Sequence, residues 1–145
     1  MTPHPVSPRS TATIELIPSF HEADPMAVVW HGNYLAYFER AREALFRAID
    51  YSYAEMHASG YVWPVIRVEV DYRRPMKVDA AALVTATITE IENRLVIAYE
   101  IHDKASGTLL ARGKTIQMAV NEKTGEGSLA SPAILFEKLG VPLPW

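Results

Sequence analysis

The sequence predicts an α+β fold, an antiparallel sheet of about five strands wrapped around one long central helix. Two patterns carry this expectation. Apolar residues recur at helical spacing in one long stretch, residues 33–50, and at a spacing of two in four later stretches joined by short turn-like segments. The 145 residues are 49% hydrophobic and 21% charged, which suits one domain with a real core and excludes a disordered chain.

Residues 1–10 hold three prolines and little apolar character, and are expected to form a flexible N-terminal arm before a single domain over 11–145. TATIELIP, residues 11–18, alternates and stops at Pro18, as a short strand does. Residues 19–32 have no period and are rich in polar groups, so this loop is where chemistry is sought. From Asn33, Tyr34, Phe38, Ala41, Leu45 and Ile49 form a stripe that Leu35 and Phe46 widen. Glu39, Arg40, Glu43 and Arg47 lie off it, and Asn33 is the expected cap. A helical turn around Ala54–His57 precedes Gly60.

In residues 65–72, Ile66, Val68, Val70 and Tyr72 share one face, while Arg67, Glu69 and Asp71 share the other. Strands follow over 81–91, 95–102 and 108–120, the first two joined by a tight turn at Glu92-Asn93-Arg94. Ser131-Pro132 is expected to open a last short helix, with Ser131 as cap, that Gly140 ends.

The net charge of -3 argues against a general nucleic-acid binder. The absence of cysteine excludes disulfides, a thiol nucleophile and Cys-ligated metal. The histidines lack metal-ligand spacing, so neither a metal nor any other cofactor is expected. No apolar run is long enough to span a bilayer and the first residues lack the apolar core of a signal peptide, so a cytoplasmic location without membrane partner is expected.

The most informative run is HEADPMAVVWHGNYLAYFERARE, residues 21–43. It sets the Asp24 carboxylate a few residues ahead of a helix start, where unpaired amides and the positive end of the macrodipole lie. Such a site stabilises an oxyanion beside a base or nucleophile. From the residues alone, Asp24-Pro25 is equally a turn starter.

Asp24, Ala27, Val28, Val29, Trp30, His31, Asn33, Tyr34, Phe38 and Glu39 together resemble the 4-hydroxybenzoyl-CoA thioesterase-like branch of the hotdog-fold superfamily and related acyl-CoA thioesterases. The likeness extends over roughly residues 11–122, with one departure, Ala27, where the family commonly has glycine; a single methyl group is read as a small change. The resemblance implies a hotdog fold and an acyl-CoA thioester hydrolase. It makes Asp24 the carboxylate that attacks the thioester carbonyl or activates a water. It makes the N–H of His31 the group that polarises the carbonyl oxygen, with the imidazole a further candidate for orienting substrate or water.

Trp30, Asn33 and Tyr34 are candidate substrate contacts, though Trp30, Tyr34 and Phe38 read first as core or interface aromatics. Glu39 has no Lys or Arg four residues on, and is either a solvated charge or a carboxylate facing the site across a subunit boundary. Trp63 breaks the strand pattern just before Pro64 and is a pocket candidate. Arg94 sits at the tight turn where the family places basic residues against the nucleotide of coenzyme A. The expected partners are an acyl-CoA or acyl-carrier-protein substrate and further copies of the chain, as a homodimer or homotetramer. A hydratase or dehydratase of the same fold, or a non-catalytic acyl-CoA-binding protein, are the alternative functions.

Overall fold

A computed structural model describes residues 2–145. Strand β1 (Thr11–Leu16) leads through a loop with one 3-10 turn (Phe20–Glu22) into helix α1 (Asn33–Ala48) and the short helix α2 (Tyr53–Ser59). Then come β2 (Tyr61–Val62), β3 (Val65–Tyr72), β4 (Ala82–Glu90), β5 (Leu95–Asp103), β6 (Leu109–Gln117), β7 (Val120–Asn121) and helix α3 (Ala133–Leu139). The long strands form one five-stranded antiparallel sheet in the order β1-β4-β5-β6-β3, and β2 and β7 pair as a small ribbon.

Local chemistry explains the boundaries. A capping box of Ser52 and Glu55 opens α2, and Gly60 at φ +86° ends it in a conformation that favours glycine. The β5–β6 turn is held by Asp103, whose carboxylate accepts from the Ser106 N–H at 2.9 Å and its hydroxyl at 2.8 Å. The cap of α1 is Gly32 and that of α3 is Pro132, each one residue before the helix and one off expectation. Asn33 instead turns its side chain back to the preceding loop. The arm expected over residues 1–10 lies against the sheet in its second half. The Val6 N–H donates to Ile88 O at 3.0 Å, the Ile88 N–H to Ser10 O at 2.8 Å, and Ser10 is fully buried.

Helix α1 crosses one face of the sheet, packed against β1 and β4. Tyr34, Tyr37, Phe38, Ala41, Leu45 and Phe46 point inward, while Leu35, expected to widen the apolar stripe, is exposed. Phe38 stacks on Tyr99 of β5, with ring centroids 4.5 Å apart and planes at 14°. Each such buried side chain stabilises the fold by about 1.5–3 kcal/mol. The close approach needs glycine in β6: a Cβ on Gly113 would lie 2.4 Å from Phe38 Cε2 and 2.8 Å from the Glu69 carbonyl oxygen.

α1 lies mainly over β1 and β4, so most of β3 is left exposed although Val70 packs against the core. Ile66, Val68 and Tyr72, the face expected to be half-buried, are 58%, 39% and 48% exposed. Among the described residues, no strand lies beside the outer backbone edge of β3. On its other face Glu69 pairs with Arg67 at 2.9 Å and Lys114 at 3.5 Å. Among the described residues no helix is long and apolar enough to cross a membrane.

Candidate active site

The loop between β1 and α1 is folded around two carboxylates. Glu22 organises its outer part. Its carbonyl accepts the Trp30 N–H and Asn33 Nδ2, both at 2.9 Å. Its carboxylate accepts the Ser19 N–H at 2.7 Å and the Tyr37 hydroxyl at 2.9 Å. Burial alone would push the Glu22 carboxyl up, but these two bonds, with His21 and Arg40 nearby, bring it below its ordinary value. The Tyr37 hydroxyl moves the other way, raised by burial and by its bond to Glu22.

Asp24 organises the inner part. Its N–H donates to Val28 O at 2.8 Å and its carbonyl accepts the Ala27 N–H at 2.9 Å. Oδ1 accepts the Met26 N–H at 2.8 Å and, at a long 3.4 Å, the Val28 N–H. Oδ2 makes no hydrogen bond among the described residues. The carboxylate therefore serves the turn with one oxygen and leaves the other unengaged. Ala27 sits at φ +64°, a left-handed conformation that costs a residue with a Cβ roughly 1–2 kcal/mol. The departure at this position is thus a matter of backbone conformation, and more than a methyl group of extra volume.

Beyond the turn the chain docks and enters the helix. The Val29 N–H donates to Met76 O at 2.8 Å, which anchors the loop to the segment that follows β3. The Asn33 N–H donates to Trp30 O, while the N–H of His31 has no hydrogen-bond partner among the described residues. The His31 carbonyl accepts the Tyr72 hydroxyl at 2.7 Å. The His31 ring lies 5.1 Å from that of Trp30 and 6.3 Å from that of Tyr72, and Tyr72 meets Tyr34 edge-on at 4.8 Å. Burial, and to a lesser degree Tyr72 and Asp24, raise the Tyr34 hydroxyl above its ordinary value, against a lowering bond from the Met76 backbone. An aromatic wall thus stands beside a carboxylate oxygen and an amide, both unengaged.

The remaining sequence candidates lie elsewhere in the chain. Asp24, Trp30, His31, Asn33 and Tyr34 gather at the Tyr72 end of β3. Trp63 precedes the Val65 end, and β3 is ~23 Å long at 3.3 Å per residue. Trp63 is buried, its Nε1 donating to the Tyr51 hydroxyl at 3.2 Å and its carbonyl accepting Gln117 Nε2 at 2.8 Å. It lines a 480 Å³ cavity between α1, α2 and the start of β3, and Glu39 is on the wall of that cavity. Glu39 pairs with Arg42 at 2.5 Å, three residues on, a spacing the search for a partner at four missed. Arg94 lies in the β4–β5 turn, also at the Val65 end, with its Nε 3.2 Å from Glu90. The single chain therefore does not bring Trp63, Glu39 or Arg94 to Asp24.

Sequence reasoning overlooked Glu22, Tyr37 and Tyr72 as parts of the site. Glu22 and Tyr37 are fifteen residues apart, and only the fold joins them. Tyr72 had a weak signal, as the polar-tipped last residue of an otherwise aliphatic strand face. No group of three His, Cys, Asp or Glu side chains among the described residues is placed to hold a metal ion.

The model of one protein family, described as the thioesterase-like superfamily, matches residues 18–137. A Bacillus subtilis protein named provisionally as the acyl-CoA thioesterase YneP is 27% identical over 106 residues, which cover 72% of this chain and 76% of that protein. The DHNA-CoA thioesterase of Staphylococcus aureus superposes with a TM-score of 0.74 at 29% identity, over 81% of this chain and 78% of that one. A mutant 4-hydroxybenzoyl CoA thioesterase, solved with 4-hydroxybenzoyl CoA, superposes with a TM-score of 0.78 at 17% identity, over 90% and 99% of the two chains. The fold is the hotdog fold that the resemblance implied.

Proposed function

The chain belongs to the thioesterase-like superfamily, and from that premise we propose that it hydrolyses the thioester of an acyl-CoA or acyl-carrier-protein substrate at the Asp24 loop. One observation carries the reading. Asp24 is anchored through Oδ1 while, among the described residues, Oδ2 stays unengaged and the N–H of His31, just ahead of α1, lacks a partner. These are the two groups thioester hydrolysis needs. Oδ2 either attacks the carbonyl carbon, giving a mixed anhydride that water opens, or takes a proton from the attacking water. In both routes the oxygen of the tetrahedral intermediate is stabilised by the His31 N–H and the positive end of α1. The thiolate leaves without a strong general acid, and the free acid and the thiol are the products.

Trp30 and Tyr34 shape the approach to the carbonyl. Asn33 acts through the loop, since its side chain is committed to Glu22 O. His31 contributes its amide, and its exposed ring faces the incoming substrate.

The site is completed by a second copy. An eight-residue edge strand with exposed Ile66, Val68 and Tyr72 is a surface that proteins normally pair or cover. Pairing β3 with itself about a two-fold axis is antiparallel and self-complementary. It brings the Tyr72 end of one β3 to the Val65 end of the other, and so brings the Asp24 loop of one copy to the end of the other that holds Trp63, Glu39 and Arg94. Arg94 there reaches for the phosphates of coenzyme A.

Asp24→Asn tests the reading. It retains the volume and the Oδ1 bonds but removes the basic oxygen, and should lower kcat by roughly 10²–10⁴ with thermal stability retained. Thiol release at near the wild-type rate by Asp24→Asn rules the assignment out. A change in enoyl absorbance without thiol release would mark a hydratase instead.

A further inference from the structure

Trp30, His31 and Gly32 join the Asp24 loop to α1. The Trp30 backbone is pinned on both sides, its N–H donating to Glu22 O and its carbonyl accepting the Asn33 N–H, both at 2.9 Å. Its side chain is 49% exposed and folds back over Gly32. A Cβ on Gly32 would fall within 2.8 Å of Cε3, Cζ3 and Cη2 of the indole, whereas non-bonded carbons sit about 3.5–4.0 Å apart. Gly32 has φ -69° and ψ -21°, helical backbone that any residue adopts, so its conformation does not call for glycine. What glycine supplies here is room for the close approach of the ring. The ring also meets the His31 imidazole, with centroids 5.1 Å apart and planes at 52°. Neither the His31 N–H nor the Gly32 N–H has a hydrogen-bond partner among the described residues. The indole thus covers backbone at the point where two successive amides are free.

Resting on the thioesterase reading, we infer that Gly32 is a positioning residue: it lets the Trp30 indole lie against the start of α1, and the ring so placed keeps water from competing for the amides that receive the carbonyl oxygen. With a side chain at position 32, one of the two groups must move. The Trp30 backbone is pinned and α1 is held by its buried face, so the ring is the part that yields. Half of its surface is already in solvent, and it can swing outward at little cost to the fold. The loss then falls on the transition state, where the negative charge on oxygen is greatest and where water-excluded donors count most. Ground-state binding of the thioester is affected far less, so the effect belongs to kcat more than to KM.

The test compares wild type, Gly32→Ala, Trp30→Ala and the double variant on benzoyl-CoA, 4-hydroxybenzoyl-CoA and hexanoyl-CoA, using whichever wild type hydrolyses fastest. Gly32→Ala should lower kcat by roughly tenfold, with KM within about twofold and thermal stability retained. Trp30→Ala removes the cover and should lower kcat to a similar extent. The double variant decides. Without an indole the added methyl group displaces nothing, so Gly32→Ala should cost no more than about twofold in the Trp30→Ala background. A loss that acts through the helix cap would persist there, since alanine caps less well than glycine. Fluorescence reads the ring without turnover. Subtracting the spectrum of Trp30→Ala from that of wild type, and that of the double variant from that of Gly32→Ala, isolates Trp30 from Trp63 and Trp145. Its emission should shift to the red, and acrylamide should quench it more, when residue 32 is alanine. An unchanged kcat in Gly32→Ala, an equal loss with and without Trp30, or a Trp30 emission that does not move overturns the inference while leaving thioester hydrolysis at Asp24 standing. Hydrolysis of none of the three thioesters by wild type, together with no binding of them to Asp24→Asn, removes the thioesterase reading and this inference with it.

Discussion

The Tyr72 hydroxyl donates a 2.7 Å hydrogen bond to the His31 carbonyl, tying the last residue of the uncovered edge strand to the backbone just ahead of α1. The amide proposed to polarise the substrate carbonyl belongs to the same residue. The bond therefore connects the position of the oxyanion donor to the strand along which two copies are proposed to meet.

Tyr72→Phe removes this bond and keeps the ring packed against Tyr34. The bond is half-exposed, so its loss should cost only about 0.5–1.5 kcal/mol of stability. Turnover should fall further than stability predicts, by roughly three- to tenfold in kcat, because geometry at an oxyanion donor is needed in the transition state. Steady-state kinetics beside thermal denaturation checks this; an unchanged kcat would show that the His31 amide is placed by the loop alone.

Ala27→Gly relieves the left-handed backbone beside Asp24. Ala at this φ costs roughly 1–2 kcal/mol, and glycine gives back part of the gain by loosening the unfolded chain, by about 0.4–1 kcal/mol. The net expectation is stabilisation of about 0.5–1 kcal/mol, or an increase of roughly 2–4 °C in Tm. A Tm that falls would mean that the Ala27 methyl makes a contact worth more than the strain.

How much of this was legible in the sequence differs from element to element, for physical reasons. Strand β3 was read with its correct ends because strict alternation over eight residues has no helical counterpart. Its exposure was not legible, because that depends on which strands α1 covers. The helix was legible from its stripe, but Leu35, expected to widen it, is exposed and Tyr37, which the stripe left out, is buried, because which flank is covered depends on how α1 sits on the sheet. At the proposed site, Asp24 and His31 were singled out by their place ahead of α1 together with the family resemblance. The Glu22–Tyr37 bond joins residues fifteen apart, and Trp63 and Glu39 border a cavity that only the packed chain creates.

Glu22 makes the site sensitive to acid. Its folded-state pKa lies below its ordinary value, so the unfolded chain binds the proton more readily than the folded one. The stabilisation from Glu22 is thus fully present above the unfolded value, near 4.5, and is lost as pH falls through the folded value. Denaturation midpoints between pH 6 and about pH 3 should fall more steeply for wild type than for Glu22→Gln, which has no proton to gain. Tyr37→Phe removes one of the two bonds that favour the carboxylate and should give an intermediate slope. Parallel curves for wild type and Glu22→Gln would show that the carboxylate is as well solvated in the unfolded chain as in this loop.

The proposed division of the site between two subunits has a consequence that single variants do not reach. Asp24→Asn disables the chemical half and Trp63→Ala the cavity half. If one copy supplied both halves, mixing the two variants would give only the sum of their residual activities. With a shared site, a mixed dimer contains one site in which both halves are altered and one in which both are intact. Random exchange makes half of the dimers mixed, and each carries one good site of two, so activity should recover to about a quarter of wild type. The exchange needs dimers that come apart and reform, which dilution followed by concentration provides, with light scattering to follow the state. Val68→Asp places two like charges close together at the proposed two-fold axis and should hold the chain as a monomer without turnover, even though the residue is exposed in the single chain. Recovery in the mixed sample with inactivity of a folded Val68→Asp monomer would together support the shared site. A fully active monomer would place every necessary group within one chain and would require the Asp24 loop to reach substrate without β3 of another copy.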